Sequence, residues 1–80
     1  MKVNIYTIYD VVAKECGPVF QAKNDVVAHR AFKSLIGDTP NANPSDYDIY
    51  CLGLFDTESR FFVPENDYGR LVLKDLEVEE

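Results

Sequence analysis

The sequence predicts an α+β fold, with one helix packed on a mostly antiparallel four- to five-stranded sheet, two layers in the order β-β-α-β-β-β. Three observations predict it. Only Asn24 to Ile36 repeats its apolar residues at helical spacing, between a good N-cap and a glycine. Most of the remainder alternates with a period of two and is rich in β-branched and aromatic residues. Clusters of glycine, proline, asparagine and aspartate separate these segments.

The first strand spans Lys2 to Asp10. Val3, Ile5, Thr7 and Tyr9 fall on one face, and Asn4, Tyr6 and Ile8 on the other. The stretch "VVAKECGP" contains the next break, since Gly17-Pro18 is a strong turn signal. "VFQAK" then predicts a short second strand, with Val19 and Gln21 on one face and Phe20 on the other.

Asn24 is placed to accept a hydrogen bond from a free N–H of the first helical turn. Asp25 sits where the helix dipole favours an anion. Ala28, Ala31, Phe32 and Leu35 form the predicted buried stripe, widened by Val27 and Ile36. His29, Arg30, Lys33 and Ser34 lie mainly away from it. Gly37 is placed to end the helix in a left-handed conformation.

"DTPNANPSD" predicts an irregular loop. In the strand that follows, Tyr47, Ile49, Cys51, Gly53 and Phe55 share one parity and Tyr50, Leu52 and Leu54 the other. Both sets are apolar, which predicts a central strand. "DTES" and "RFFV" predict a hairpin with a loop of about four residues. Pro64 ends the return strand, "ENDYG" makes a further turn, and "RLVLKDLEV" alternates as a last strand.

The chain reads as one small domain over residues 1–80 with an acidic C-terminal end, "KDLEVEE". No apolar run approaches the roughly 20 residues of a membrane span, and "MKVNIYTIYD" does not resemble a signal peptide. The expected location is the cytoplasm in which the chain is made, with no membrane partner. Cys16 and Cys51 are expected to be reduced, packed thiols. The net charge is −6, unevenly distributed. Residues 1–37 hold five cations against three acids, and residues 38–80 three against eleven. A basic footprint for nucleic acid would therefore be local and lie in the first half.

The residues carry little catalytic signal, and no cofactor is expected. His29, the one histidine, lies on the polar side of the predicted helix, and the spacing pairs it with neither cysteine. No zinc spacing and no glycine-rich phosphate loop is present. Asp46 and Asp48 flank Tyr47 and read as a solvated strand edge more readily than as a metal site. The aromatics carry more. Tyr6, Tyr50 and Phe62 are candidates for stacking bases, with Lys23, Arg30 and Arg60 as phosphate contacts and Lys2 and Arg70 as further sources of charge. The alternative is that these rings form the core of a small domain.

"YTIYD", "GPVFQAKNDVVAHRAFKSLI" and "NPSDYDIYCLGLFDTES" together resemble the small nonstructural protein of gokushovirus-type microviruses, phages with single-stranded DNA genomes. In that family a phenylalanine-bearing strand precedes a polar cap and a helix with alanine and phenylalanine on one face. A Pro-x-Asp-Tyr stretch, here Pro44, Asp46 and Tyr47, leads to Gly-x-Phe-Asp, here Gly53, Phe55 and Asp56. Val19 and Ser59 stand where members often carry a second proline and a hairpin glycine. The resemblance implies a non-enzymatic, replication-associated role with single-stranded DNA, or a host or phage replication protein, as partner. The rival expectation is an acidic protein-binding module, either a homodimer or an inhibitor of a host factor that imitates nucleic acid.

Overall fold

The computed structural model describes residues 1–65 and 69–72. The described elements follow the predicted order: β1 (Lys2–Asp10), β2 (Glu15–Ala22), α1 (Asp25–Gly37), a 3-10 turn (Pro44–Asp46), β3 (Tyr47–Asp56), β4 (Phe62–Pro64) and β5 (Arg70–Val72). All strand pairs are antiparallel. The sheet order is β2-β1-β3-β4, and β5 also pairs with β3. Thus β3 is central. Its start, Ile49–Cys51, pairs with β5 and its end, Gly53–Phe55, with β4. The predicted turn through residues 66–68 and the last strand beyond Val72 lie outside the described residues.

The β1–β2 turn falls within the predicted stretch, but Gly17-Pro18 does not make it. It occupies residues 11–14, and Gly17 and Pro18 lie inside β2. Asp10 builds this turn. Its Oδ1 accepts from the N–H groups of Val12 and Ala13, both at 3.0 Å, and Lys14 closes it with φ 60°. Pro18 is tolerated because β2 is an edge strand, where a missing N–H breaks no ladder. An extra β2 residue near Gly17-Pro18 shifts the register between Thr7↔Val19 and Tyr9↔Cys16.

The β3–β4 hairpin repeats this design. Asp56 Oδ1 accepts from Glu58 N–H at 3.0 Å, and Arg60 closes the turn with φ 67°. Asp56 N–H donates to Phe61 O at 2.8 Å, which leaves the four-residue loop that the sequence predicts.

Asn24 caps α1 as expected, with Oδ1 3.0 Å from Val27 N. The other end differs. Gly37 is the last helical residue and does not take a left-handed conformation; Asp38, with φ −88°, is the C-cap. Thr39 satisfies the last turn, donating its N–H to Ile36 O at 3.1 Å and its hydroxyl to Leu35 O at 2.9 Å.

The buried stripe is also rotated from the predicted one. Ala28, His29, Phe32 and Ile36 are buried, whereas Leu35 is 42% exposed and Val27 is exposed too. His29 is 4% exposed, its ring 5.9 Å from that of Phe32, and is not on a polar face. Ala28, Phe32 and Ile36 share one core cluster with Tyr6, Ile8, Ala22, Ile49, Cys51 and Val72. That cluster defines the helix side of the sheet.

A bulge sorts β3 in a way simple parity misses. Tyr6 faces Cys51, but Ile5 faces Gly53, so Leu52 is the extra residue. Directly opposed residues share a face. Ile49 and Cys51 therefore lie on the helix side, and Gly53 and Phe55 on the other.

Candidate functional site

The second side of the sheet, here called the open side, is largely apolar, with Gln21 opposite Ile5 and Asp48 opposite Tyr9 among its polar members. From β1 it carries Val3, Ile5, Thr7 and Tyr9, and from β2, Val19 opposite Thr7. Tyr50 and Leu71 face one another across β3 and β5, and Phe55 faces Phe62 across β3 and β4. Val19 is 62% exposed, Leu71 47% and Phe62 42%. Tyr9 and Tyr50 meet edge to face with ring centroids 6.1 Å apart. With Thr7, Cys16 and Leu52 they line a shallow depression of about 430 Å³. Phe62 is held over Gly53, where a Cβ would lie 2.6 Å from the ring and 2.4 Å from Val63 O.

The helix side carries a polar network at the start of α1. Tyr6 donates its hydroxyl to Asp25 Oδ1 at 2.7 Å and accepts from Asn4 Nδ2 at 3.0 Å. Arg70 grips the same carboxylate bidentately, at 2.8 and 3.2 Å, and reaches Glu65 at 3.5 Å. Asn4 and Tyr6 are on β1, Asp25 on α1 and Arg70 on β5, so one network ties three elements together. The Arg70 guanidinium holds the Asp25 carboxyl below the usual carboxylate range, although partial burial opposes it. Burial first, and then the bond to Asp25, pushes the Tyr6 phenol well above its ordinary value. Every strong donor here meets an acceptor, which is the chemistry of a structural clasp. Shifted carboxylates also occur at active sites, but this one has a cation already bound to it.

The candidate residues fall on different sides. Tyr6 is 0% exposed and stacks on Phe20 at 5.7 Å. This corrects its reading as a stacking platform, because both of its ring faces are spent in the core. Tyr50 and Phe62 stand on the open side. Lys23 is exposed just before α1, and Arg30 is exposed on the helix. Arg60 is exposed in the β3–β4 turn. The structure therefore separates the two aromatic candidates from Arg30, which α1 carries, by the thickness of the sheet.

Charge follows the same division. From Lys23 to Gly37 three cations stand against one acid, Asp25, which Arg70 already binds. The remaining described residues hold four cations against eight acids. Arg30 and Lys33, three residues apart, share a helix face.

Both cysteines are free thiols: Cys51 is buried, whereas Cys16 is exposed on the edge strand and so departs from the expected packing. Burial pushes the Cys51 thiol up. Asp46 belongs to the 3-10 turn and Asp48 to β3. Among the described residues, no group of three or more His, Cys, Asp or Glu is placed to hold a metal ion. No described helix is long and apolar enough to cross a membrane.

Sequence reasoning missed the Asp25–Arg70 pair, and of the exposed surface it named Phe62 as a candidate but neither Val19 nor Leu71. The sequence ties Asp25 only to the helix dipole, and the 45-residue separation from Arg70 leaves no local signal.

A family model described as Phage ORF5 protein matches residues 3–77. No curated protein and no solved structure shows a significant match to the chain.

Proposed function

The chain belongs to the Phage ORF5 protein family, and from that premise we propose that it is a non-enzymatic accessory protein of phage genome replication that binds single-stranded DNA weakly. Support for the replication role comes from its likeness to the nonstructural protein of gokushovirus-type microviruses. The observation that carries the DNA reading is the charge segregation. In a chain of net charge −6, Lys23, Arg30 and Lys33 gather on and beside α1, and the acid among them is bound by Arg70. Such a patch contacts phosphates without reading sequence, and it weakens steeply with salt.

The test is fluorescence anisotropy with a short labelled oligonucleotide at low and moderate salt. Saturable binding at low salt is expected, falling by about tenfold or more in the Lys23→Glu, Arg30→Glu double variant. Tyr50→Ala should leave binding unchanged. If Tyr50→Ala instead weakens it by about 1–3 kcal/mol, bases stack on the open side. Absence of saturable binding by the wild type would reject the DNA reading. The second reading, an acidic protein-binding module, would then stand, favoured by the apolar open side.

A further inference from the structure

We propose that the open side of the sheet is a homodimer interface, packed against a second copy of this chain about a twofold axis lying across the strands. This surface shares only Lys23 with the cations assigned to DNA, and its apolar residues Val19 and Leu71, where it is tested, stand apart from them.

Three observations support it. The first is composition. Val19, Leu71 and Phe62 are large apolar residues exposed on one face, continuous with the half-buried rings of Tyr9 and Tyr50. Contiguous apolar surface of this kind marks an interaction site more often than scattered exposed residues do.

The second is area. Strands lie about 4.8 Å apart and rise about 3.3 Å per residue. The 33 residues of the five strands then give a footprint of about 520 Å² per protomer, or about 1,050 Å² for a pair. That clears the roughly 1,000 Å² expected of a specific interface. Two such faces would stack about 10 Å apart, like the sheets of a sandwich.

The third is charge, which selects the partner and the axis. Among the described residues, one end of the sheet carries Asp10, Glu15, Asp46 and Asp48 against Lys14 alone. The other end carries Lys2, Lys23 and Arg60 against Asp56 and Glu58. A twofold axis across the strands lays the acidic end of each copy over the basic end of the other. An axis along the strands would stack acid on acid. The face is thus complementary to itself in one orientation, as an isologous interface requires.

Sedimentation equilibrium at micromolar concentration should show a species near twice the 9.1 kDa chain mass. Val19 is the test position, since its exposure lets a charged residue be accommodated in the monomer. Val19→Glu should sediment as a monomer with an unchanged circular dichroism spectrum, and Leu71→Glu provides a second, independent disruption. A carbodiimide that joins carboxylates to amines should link Lys2 or Lys23 of one copy to Asp46 or Asp48 of the other. A wild-type monomer at that concentration would overturn the proposal, assigning the face to another occupant. So would a dimer that survives both charge substitutions. Intermolecular links confined to like ends would overturn the proposed axis.

Discussion

Tyr6→Phe isolates one hydroxyl in a folded core. The ring of Tyr6 is buried in the main cluster against Phe20, so its apolar packing survives the change. What is lost is the 2.7 Å bond to Asp25 and the acceptor for Asn4. A hydrogen bond to a charged partner contributes about 1.5–3 kcal/mol. Asn4 is half-buried and Asp25 keeps Arg70, so water and the guanidinium recover part of that. The expected cost is about 1.5–2 kcal/mol, equivalent to about 10 °C in Tm for a domain of this size. The effect depends on pH in a determined direction. The carboxyl of Asp25 is held lower in the folded chain than in the unfolded one. Its contribution is therefore complete above the unfolded value of about 3.9 and is lost as pH falls through the folded value. The gap between wild type and Tyr6→Phe should narrow over that acidic window. Urea denaturation at neutral and acidic pH, with a double-mutant cycle against Asp25→Asn, measures it. A neutral-pH cost below about 0.5 kcal/mol, or no coupling in the cycle, would refute the clasp.

Gly53→Ala should destabilise by about 2 kcal/mol or more, because the new methyl group meets backbone at Val63 O and not only the ring of Phe62; a denaturant midpoint equal to wild type would contradict that contact. Arg60→Gly should stabilise by about 0.5–1 kcal/mol, since Arg60 sits at φ 67° and glycine accepts that conformation; thermal melts decide the sign. Brief alkylation of the native protein should modify Cys16 alone, and Cys51 only after unfolding; mass spectrometry that finds both modified at once would contradict the burial of Cys51.

The element order was legible because it is written in local chemistry. Asn24 followed by helical spacing, the alternation of Lys2 to Asp10, and the Asp56 hairpin each need only neighbouring residues. The errors have physical causes. Gly17-Pro18 reads as a turn only if β2 is not an edge strand, and strand order is a tertiary property. Asp10, whose carboxylate accepts from two backbone N–H groups of the turn, was the competing signal, and it matches Asp56 in its own hairpin. In α1, Leu35 and His29 lie about 120° or more apart on the wheel. Hydrophobicity alone chose Leu35, whereas the side of α1 that is buried carries His29 beside Ala28, Phe32 and Ile36. The site was less legible for a related reason. Alternation assigns residues to two faces without naming the faces. The bulge at Leu52 then moves Gly53 and Phe55 across. Tyr6 and Tyr50 look equivalent in sequence, yet one is core and the other faces outward.

The two proposed surfaces bear on one another through salt. A patch of three cations, Lys23, Arg30 and Lys33, supplies few phosphate contacts in a chain that is acidic overall. For single strands the logarithm of affinity falls with the logarithm of salt at a slope of about −0.7 per contacted phosphate. One protomer should therefore show a slope of about −2. Pairing through the open side leaves both helices on the outside of the dimer and doubles the patch. A strand long enough to touch both patches should then show a slope of about −4. Its affinity should also rise through effective concentration, with no new kind of contact. A short oligonucleotide that reaches one patch should keep the slope of about −2. Measured on both lengths, Val19→Glu should collapse the long-strand slope onto the short one while leaving the short one unchanged. Equal slopes for both lengths in a wild-type protein shown to be dimeric would mean that the two patches do not share a strand. Loss of short-strand binding in Val19→Glu would place DNA on the open side itself, and the assignment to Lys23 and Arg30 would fail.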